Sequence, residues 1–313
     1  MSHPRLLPIL TGLLCLLGLY SCQPRTDTTT TTEVEASGPT RFRLVPAEES
    51  GVQFANQIDE NYEYNILNYE YLYNGGGVAI GDINNDGLPD LYFSGTFVAN
   101  KLYLNRGNLR FEDITARAGV GAERGFKTGV SMVDINHDGW LDLYVCRTSK
   151  SDDGQKNNRL FITQGDLTFS ERAADYGLLD NSNSNHANFF DYDLDGDLDL
   201  YLLNHRLNFK EAVRMRLKQL PDGQIIRQTD PLTPFESDRF YRNNGNGTFT
   251  DVTQAAGLVN SAFAFGATVS DLNGDGYPDV YVTNDYIEPD YLYINNGDGT
   301  FTDRYFDYLR HSS

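Results

Sequence analysis

Cysteine is scarce, three in 313 residues. Cys15 lies in an apolar N-terminal run, Cys22 ends that run, and Cys146 alone falls in the region patterned like a folded domain. No disulfide framework is therefore open to the mature domain. Cys146, in the strand-like run Leu143-Tyr144-Val145-Cys146, is expected to be a buried free thiol, not a reactive one. Basic residues are also few, 25 against 44 acidic, for a net charge of −19. That excess argues against nucleic acid, whose phosphates it would repel. The apolar stretch Leu6–Leu19 is broken by Pro8 and Gly12 and is too short for a membrane span. Catalytic constellations are missing too. His137, His186 and His205 have no companion at triad or metal-ligand spacing. Gly75-Gly76-Gly77 lacks the Lys-Ser/Thr of a phosphate loop and suits close backbone approach instead. No enzyme is expected.

What is present is carboxylate in a fixed pattern. Asp191-Tyr-Asp193-Leu-Asp195-Gly196-Asp197-Leu-Asp199 has acids at its first, third, fifth and ninth positions and glycine at the sixth. Alternate residues of a tight loop can turn oxygens toward one centre, and the glycine admits a backbone angle that other residues resist. Hard oxygen donors converging in this way suit calcium better than magnesium, which keeps its waters. The spacing returns as Asp82, Asn84, Asp86, Gly87, Asp90; as Asp134, Asn136, Asp138, Gly139, Asp142; and as Asp271, Asn273, Asp275, Gly276, Asp279. The seventh residues, Leu88, Trp140, Asp197 and Tyr277, complete the four expected metal sets. Turn chemistry alone favours Asp and Asn but has no use for the ninth-position acid. Thirteen carboxylates stand at the first, third, fifth and ninth positions of these loops, and four bound dications would bring −19 to −11.

An EF-hand needs Glu at position twelve and a helix on either side. Here position twelve is Phe93, Val145, Leu202 or Val282, and each loop runs into Leu-Tyr-Phe, Leu-Tyr-Val, Leu-Tyr-Leu or Val-Tyr-Val. That is strand composition, as are the 20 Tyr and 18 Phe with 29 Gly overall. The EF-hand is excluded.

Taken from the start, residues 1–21 read as a secretory signal, with Arg5, an apolar core and Leu19-Tyr20-Ser21 before Cys22. Leu-x-Ser-Cys is similar to a bacterial lipobox. It makes Cys22 the expected lipidated residue, and the mature chain an exported, lipid-anchored protein of the outer membrane or cell surface. Residues 22–40 are Thr-rich and polar, a tether.

From 41 to 313 there is a period. The loops begin at 82, 134, 191 and 271, intervals of 52, 57 and 80. A second motif alternates with them: Phe111…Gly119, Phe169…Gly177, Phe249…Gly257, and Phe301-Thr-Asp, with Phe42…Gly51 a divergent earlier copy. Further strands such as Lys101-Leu-Tyr-Leu-Asn105 lie between, and Asn296-Gly-Asp-Gly299 marks a hairpin. The unit is strand, metal loop, strand, strand, hairpin, strand. Four antiparallel strands in some fifty residues make a β-propeller blade, with Gly77-Val-Ala-Ile80 and Gly129-Val-Ser-Met132 as innermost strands. Separate small sandwiches are the runner-up, but each unit is too small for its own core. The fold class expected is all-β, an incomplete propeller ring with four metal-loop repeats. A four-bladed ring would leave the Phe42 motif redundant. The long interval contains an insertion, 204–237, with a helix expected over Phe209–Leu220 and six basic against four acidic residues.

The loops with their strands resemble FG-GAP/VCBS repeats, as in integrin α propellers. Phe265-Gly266-Ala267 is similar to the first half of the motif that gives the family its name, without the Pro. Tyr73–Asp90 resembles the opening of large VCBS/ASPIC-UnbV-type bacterial lipoproteins. The resemblance implies a seven-bladed type of propeller and calcium held by the residues named above. Two classes of function stay open. One is a surface-anchored module that binds protein or glycan, with calcium structural. The other is part of a calcium-dependent polysaccharide lyase or hydrolase. Binding is the favoured expectation.

Overall fold

Alternating and β-branched runs separated by Asp-Gly and Asn-Gly turns can bury themselves only as short antiparallel strands, and that is what forms. The structure, a computed structural model, describes residues 42–149, 156–206, 217–221, 223, 225–227, 236–261, 263–285 and 289–309. The expected signal, the lipidated Cys22 and the tether lie outside the described residues, as does most of the insertion.

Four four-stranded antiparallel sheets follow one another. The first holds β1 (Val78–Gly81), β2 (Asp90–Phe93), β3 (Lys101–Asn105) and β4 (Phe111–Asp113) in that order. The second holds β5 (Phe126–Val133), β6 (Asp142–Thr148), β7 (Arg159–Thr163) and β8 (Phe169–Glu171). The third pairs β9 (Ser184–Phe190), β10 (Asp199–Asn204), β13 (Arg239–Asn243) and β14 (Phe249–Asp251), and the fourth runs β15 (Ala264–Ser270), β16 (Asp279–Asn284), β17 (Tyr291–Asn295) and β18 (Phe301–Asp303). Every Asp-rich loop joins the first strand of a sheet to the second. The Phe motifs at Phe111, Phe169, Phe249 and Phe301 supply the fourth, whereas the divergent copy at Phe42 forms no strand.

Between β10 and β13 the described portion of the insertion is a two-stranded hairpin, β11 (Leu217–Gln219) with β12 (Ile225–Arg227). The helix expected over 209–220 therefore does not reach its end: Leu217, Lys218 and Gln219 pair with Arg227, Ile226 and Ile225. Pairing across Pro221-Asp-Gly223 outweighs their helical propensity, which is a weak preference. The remainder of that helix falls outside the described residues.

The cores lie between successive sheets, and side-chain alternation decides who faces whom. Tyr92 and Ala79 of the first sheet meet Val130, Leu143 and Val145 of the second. Tyr144 and Val133 of the second meet Ala187, Leu200 and Leu202 of the third. Tyr201 and Phe190 of the third meet Ala264, Val280 and Val282 of the fourth. In the first three sheets the second-strand tyrosine thus faces the following sheet, and in the last three its two neighbours face the preceding one. Burying each of these large side chains stabilises by roughly 1.5–3 kcal/mol.

First strands also touch one another. Gly77 N–H donates to Thr128 O at 2.8 Å, Ser131 Oγ to Ala187 O at 2.7 Å, and Asn185 Nδ2 to Ala264 O at 2.8 Å. Glycine is required here: a Cβ on Gly77 would come within 2.7 Å of the Val130 nitrogen, and one on Gly129 would strike Asn185 O. The short helical turn Glu70–Tyr73 covers this region with aromatics. Tyr69, Tyr71 and Leu72 pack with Phe126 and Phe263.

Candidate metal-binding loops

The four loops are one structure repeated. The first carboxylate of each accepts the N–H groups of the fifth and sixth residues. Asp82 takes them from Asp86 (3.1 Å) and Gly87 (2.7 Å), and Asp134 from Asp138 (3.1 Å) and Gly139 (2.9 Å). Asp191 takes them from Asp195 (3.1 Å) and Gly196 (3.0 Å), and Asp271 from Asp275 (3.1 Å) and Gly276 (2.9 Å). The fifth carboxylate accepts the seventh N–H, of Leu88, Trp140, Asp197 or Tyr277. The sixth-position glycines stand at φ 84, 88, 95 and 94, the left-handed region that favours glycine. A second left-handed residue precedes them at position four: Asn85, His137, Leu194 and Gly274, at φ 56, 55, 62 and 81. Composition gives no warning of that for Leu194, because leucine resists this angle.

The third loop differs in charge. Oxygens of Asp191, Asp193 and Asp195 lie within 4.8 Å of one another, the one acidic triad of this kind among the described residues. In the other loops Asn84, Asn136 and Asn273 stand at position three, and each amide donates to the fifth carboxylate at 2.8–2.9 Å. Those amides blunt the repulsion that three carboxylates would feel. The donor set fits a hard divalent cation, and one orphan supports the fit: Asn84 Oδ1 is buried with no hydrogen-bond partner.

The ninth-position acids do a second job that spacing alone does not reveal. Asp90, Asp142, Asp199 and Asp279 are buried. One oxygen of each accepts the N–H of the loop's second residue: Ile83, Ile135, Tyr192 or Leu272. The other accepts from the end of the third strand: Asn105, Thr163, Asn243 or Asn295, at 2.7–2.8 Å. Each therefore pins its loop to the sheet. Burial raises the Asp142 and Asp199 carboxyls to about 7, against backbone hydrogen bonds that favour the ionised form. Asp90 is raised for the same reason. Neighbouring loops also touch: Asn85 Nδ2 donates to Gly139 O at 2.9 Å, and His137 Nδ1 lies 3.5 Å from Asp197 Oδ1.

A further repeated device was not legible from local pattern. The residue before each third strand (Asn100, Asn158, Asp238 and Asp290) bonds the hydroxyl of the second-strand tyrosine, Tyr92, Tyr144, Tyr201 or Tyr281, at 2.7–3.2 Å. Its Oδ1 also accepts the N–H of Gly95, Arg147, Asn204 or Asn284. The signal that could have found it is an Asn or Asp standing immediately before all four third strands.

Other singled-out groups are packed. Cys146 is a free, fully buried cysteine, and burial pushes its thiol well above the usual range. His205 is buried 2.9 Å from the Tyr69 hydroxyl, and burial lowers it to about 3, so it is neutral. His186 is half-buried and lowered by desolvation.

These observations define an all-β protein built from repeated four-stranded sheets with Asp-rich first loops. Comparison with known families agrees: the profile of the FG-GAP-like repeat matches residues 82–145, 232–282 and 271–306. Those segments are similar to FG-GAP-like repeats. They include three of the four loops, while the most acidic, 191–199, lies outside them. Cartilage acidic protein 1 of Homo sapiens is 24% identical over 218 residues, 68% of this chain and 28% of that protein. Its Xenopus tropicalis counterpart is 26% identical over 220 residues, 68% of this chain and 29% of its own length. The chain thus spans under a third of the relatives it matches. The crystal structure of the V. cholerae biofilm matrix protein Bap1 overlaps 72% of this chain and 38% of its own at 14% identity and a TM-score of 0.32. That similarity is too low to bear on the fold.

Proposed function

We propose that this chain is a calcium-stabilised β-propeller module of an exported protein, anchored at Cys22 and binding a protein or glycan ligand at the cell surface. The observation that carries the reading is the fourfold identity of the loops. Four sheets place the same oxygens on the same backbone donors, with a hard-cation donor set at the first, third and fifth positions. Calcium, when bound, neutralises carboxylates that otherwise repel one another. Its role is structural. The chain's own residues already fold each loop, and the ninth-position aspartate ties that loop to its sheet.

Support for a ring comes from interfaces that repeat. The faces that pack Val130, Ala187 and Ala267 on a preceding sheet have their counterpart in the first sheet at Val78 and Ile80, which are 55% and 65% exposed. The turn Ala47–Ser50 with left-handed Gly51 repeats Thr115–Ala118 with Gly119. Gly51 approaches Phe111 O as Gly257 approaches Phe301 O. In our reading, a further sheet covers Val78 and Ile80. The whole protein is then an ASPIC/UnbV-type lipoprotein of which this chain is the N-terminal portion.

The test is to present the purified, calcium-loaded chain to glycan and protein arrays, and in parallel to a panel of acidic polysaccharides. Saturable, chelator-sensitive capture without depolymerisation is expected. Release of unsaturated or reducing sugar would replace the binding reading with a lyase or hydrolase.

A further inference from the structure

Where the first strands meet the Glu70–Tyr73 turn there is a cavity of about 260 Å³. Its apolar walls are aromatic. Tyr71 and Phe265 meet edge to face, with ring centres 5.9 Å apart, and Phe265 leaves 55% of its surface exposed toward solvent. Its polar lining is neutral: Asn74, Asn185 and His186, with the backbone of Gly75 and Gly76. Asn74 is in the right-handed helical region and Gly75 follows at φ 88. That sequence of angles turns successive N–H groups toward one concavity suited to an oxygen lone pair.

The absence of charge in this lining is informative. The chain carries 69 acidic and basic residues, yet among the described residues no Asp, Glu, Lys or Arg lines the cavity. Among those described lining residues the one titratable nitrogen base is His186. Tyr71 Oη also lies 3.4 Å from an Asp285 oxygen, and the chain as a whole is at −19. An anionic ligand would find no counter-charge and an opposing field. The exposed Phe265 ring, faced by amides and backbone N–H groups, suits a ligand with one C–H face and a rim of hydroxyls. The volume is below that of drug-sized sites, roughly 300–1,000 Å³, and holds one ring unit, not a chain.

We infer that this cavity is a binding site for a single neutral pyranose, stacked on Phe265 with Tyr71 beside it and hydrogen-bonded by Asn74, Asn185 and the Gly75–Gly76 backbone. The site deepens the binding reading above and rests on it. No residue of the Asp-rich loops contributes to it.

The test uses the full chain with calcium and ligand-observed NMR against methyl glycosides of neutral hexoses, with glucuronate as the charged arm. Phe265→Ala and Asn74→Ala both change exposed side chains, so folding is checked simply by comparing melting curves. The expected result is millimolar binding of at least one neutral glycoside, at least tenfold weaker in Phe265→Ala and weaker in Asn74→Ala, with unchanged melting and no binding of glucuronate. No neutral glycoside bound by the folded chain, binding unchanged in Phe265→Ala, or a preference for glucuronate would overturn the site. Array capture that survives Phe265→Ala would sink this cavity alone and leave the module's binding role standing.

Discussion

At the scale of single residues, the buried acids separate two kinds of aspartate. Asp142 holds backbone N–H groups from Ile135 and Thr163, whereas Asp138 lies exposed on the loop. Asp142→Ala leaves two buried donors unpaired, a loss of about 3 kcal/mol or more, and is expected to lower the urea midpoint even in chelator. Asp138→Ala is expected to change that midpoint little in chelator and to lose only the calcium-dependent increment. Asp238 makes a different prediction. It is 1% exposed, and burial raises its carboxyl from 3.8 to about 6. The folded state therefore holds this proton more tightly than the unfolded chain. The residue costs nothing below about pH 4, and its cost grows to its full value as pH rises through 6. Asp238→Asn removes that dependence. Between about pH 4 and pH 7 the stability gap between variant and wild type is expected to move on the order of 2–3 kcal/mol in the variant's favour. Urea titrations at both pH values check it, and a gap that does not move contradicts the assignment.

At the scale of elements, the loops and strands were legible because their signals are local. Asp-x-Asn-x-Asp-Gly spells its own turn, and Leu-Tyr-Val spells the strand after it. The devices that fasten loop to sheet were not legible, because they join distant positions: Asp199 reaches Asn243 and Tyr201 reaches Asp238. Nor could propensity show that Leu217–Gln219 pairs as a strand, since pairing with Ile225–Arg227 is what decides it. Two glycines separate the reasons for glycine. Gly196 at φ 95 has open space around a Cβ, so Gly196→Ala is expected to cost only the backbone penalty, about 1–2 kcal/mol. Gly129 sits against Asn185 and His186 of the next sheet, so Gly129→Ala must push neighbouring sheets apart and is expected to cost more. Thermal melting of both variants gives the order; the reverse order would mean that the first strands do not pack as described.

At the scale of the whole molecule, the sheets share no covalent cross-link among the described residues, and Cys146 is a free thiol. Cohesion comes from three similar cores between neighbouring sheets and from contacts between loops. Occupied loops should therefore stiffen the assembly as a unit. Proteolysis in chelator is expected to cut first within the Asp-rich loops and to slow on adding calcium. The most direct measurement is the melting temperature of the purified chain in chelator and then with calcium restored to millimolar levels, beside the same titration with magnesium. The account predicts a reversible rise with calcium, larger than with magnesium and reduced when Asp191 and Asp195 are both changed to Asn. A melting temperature indifferent to calcium would contradict it.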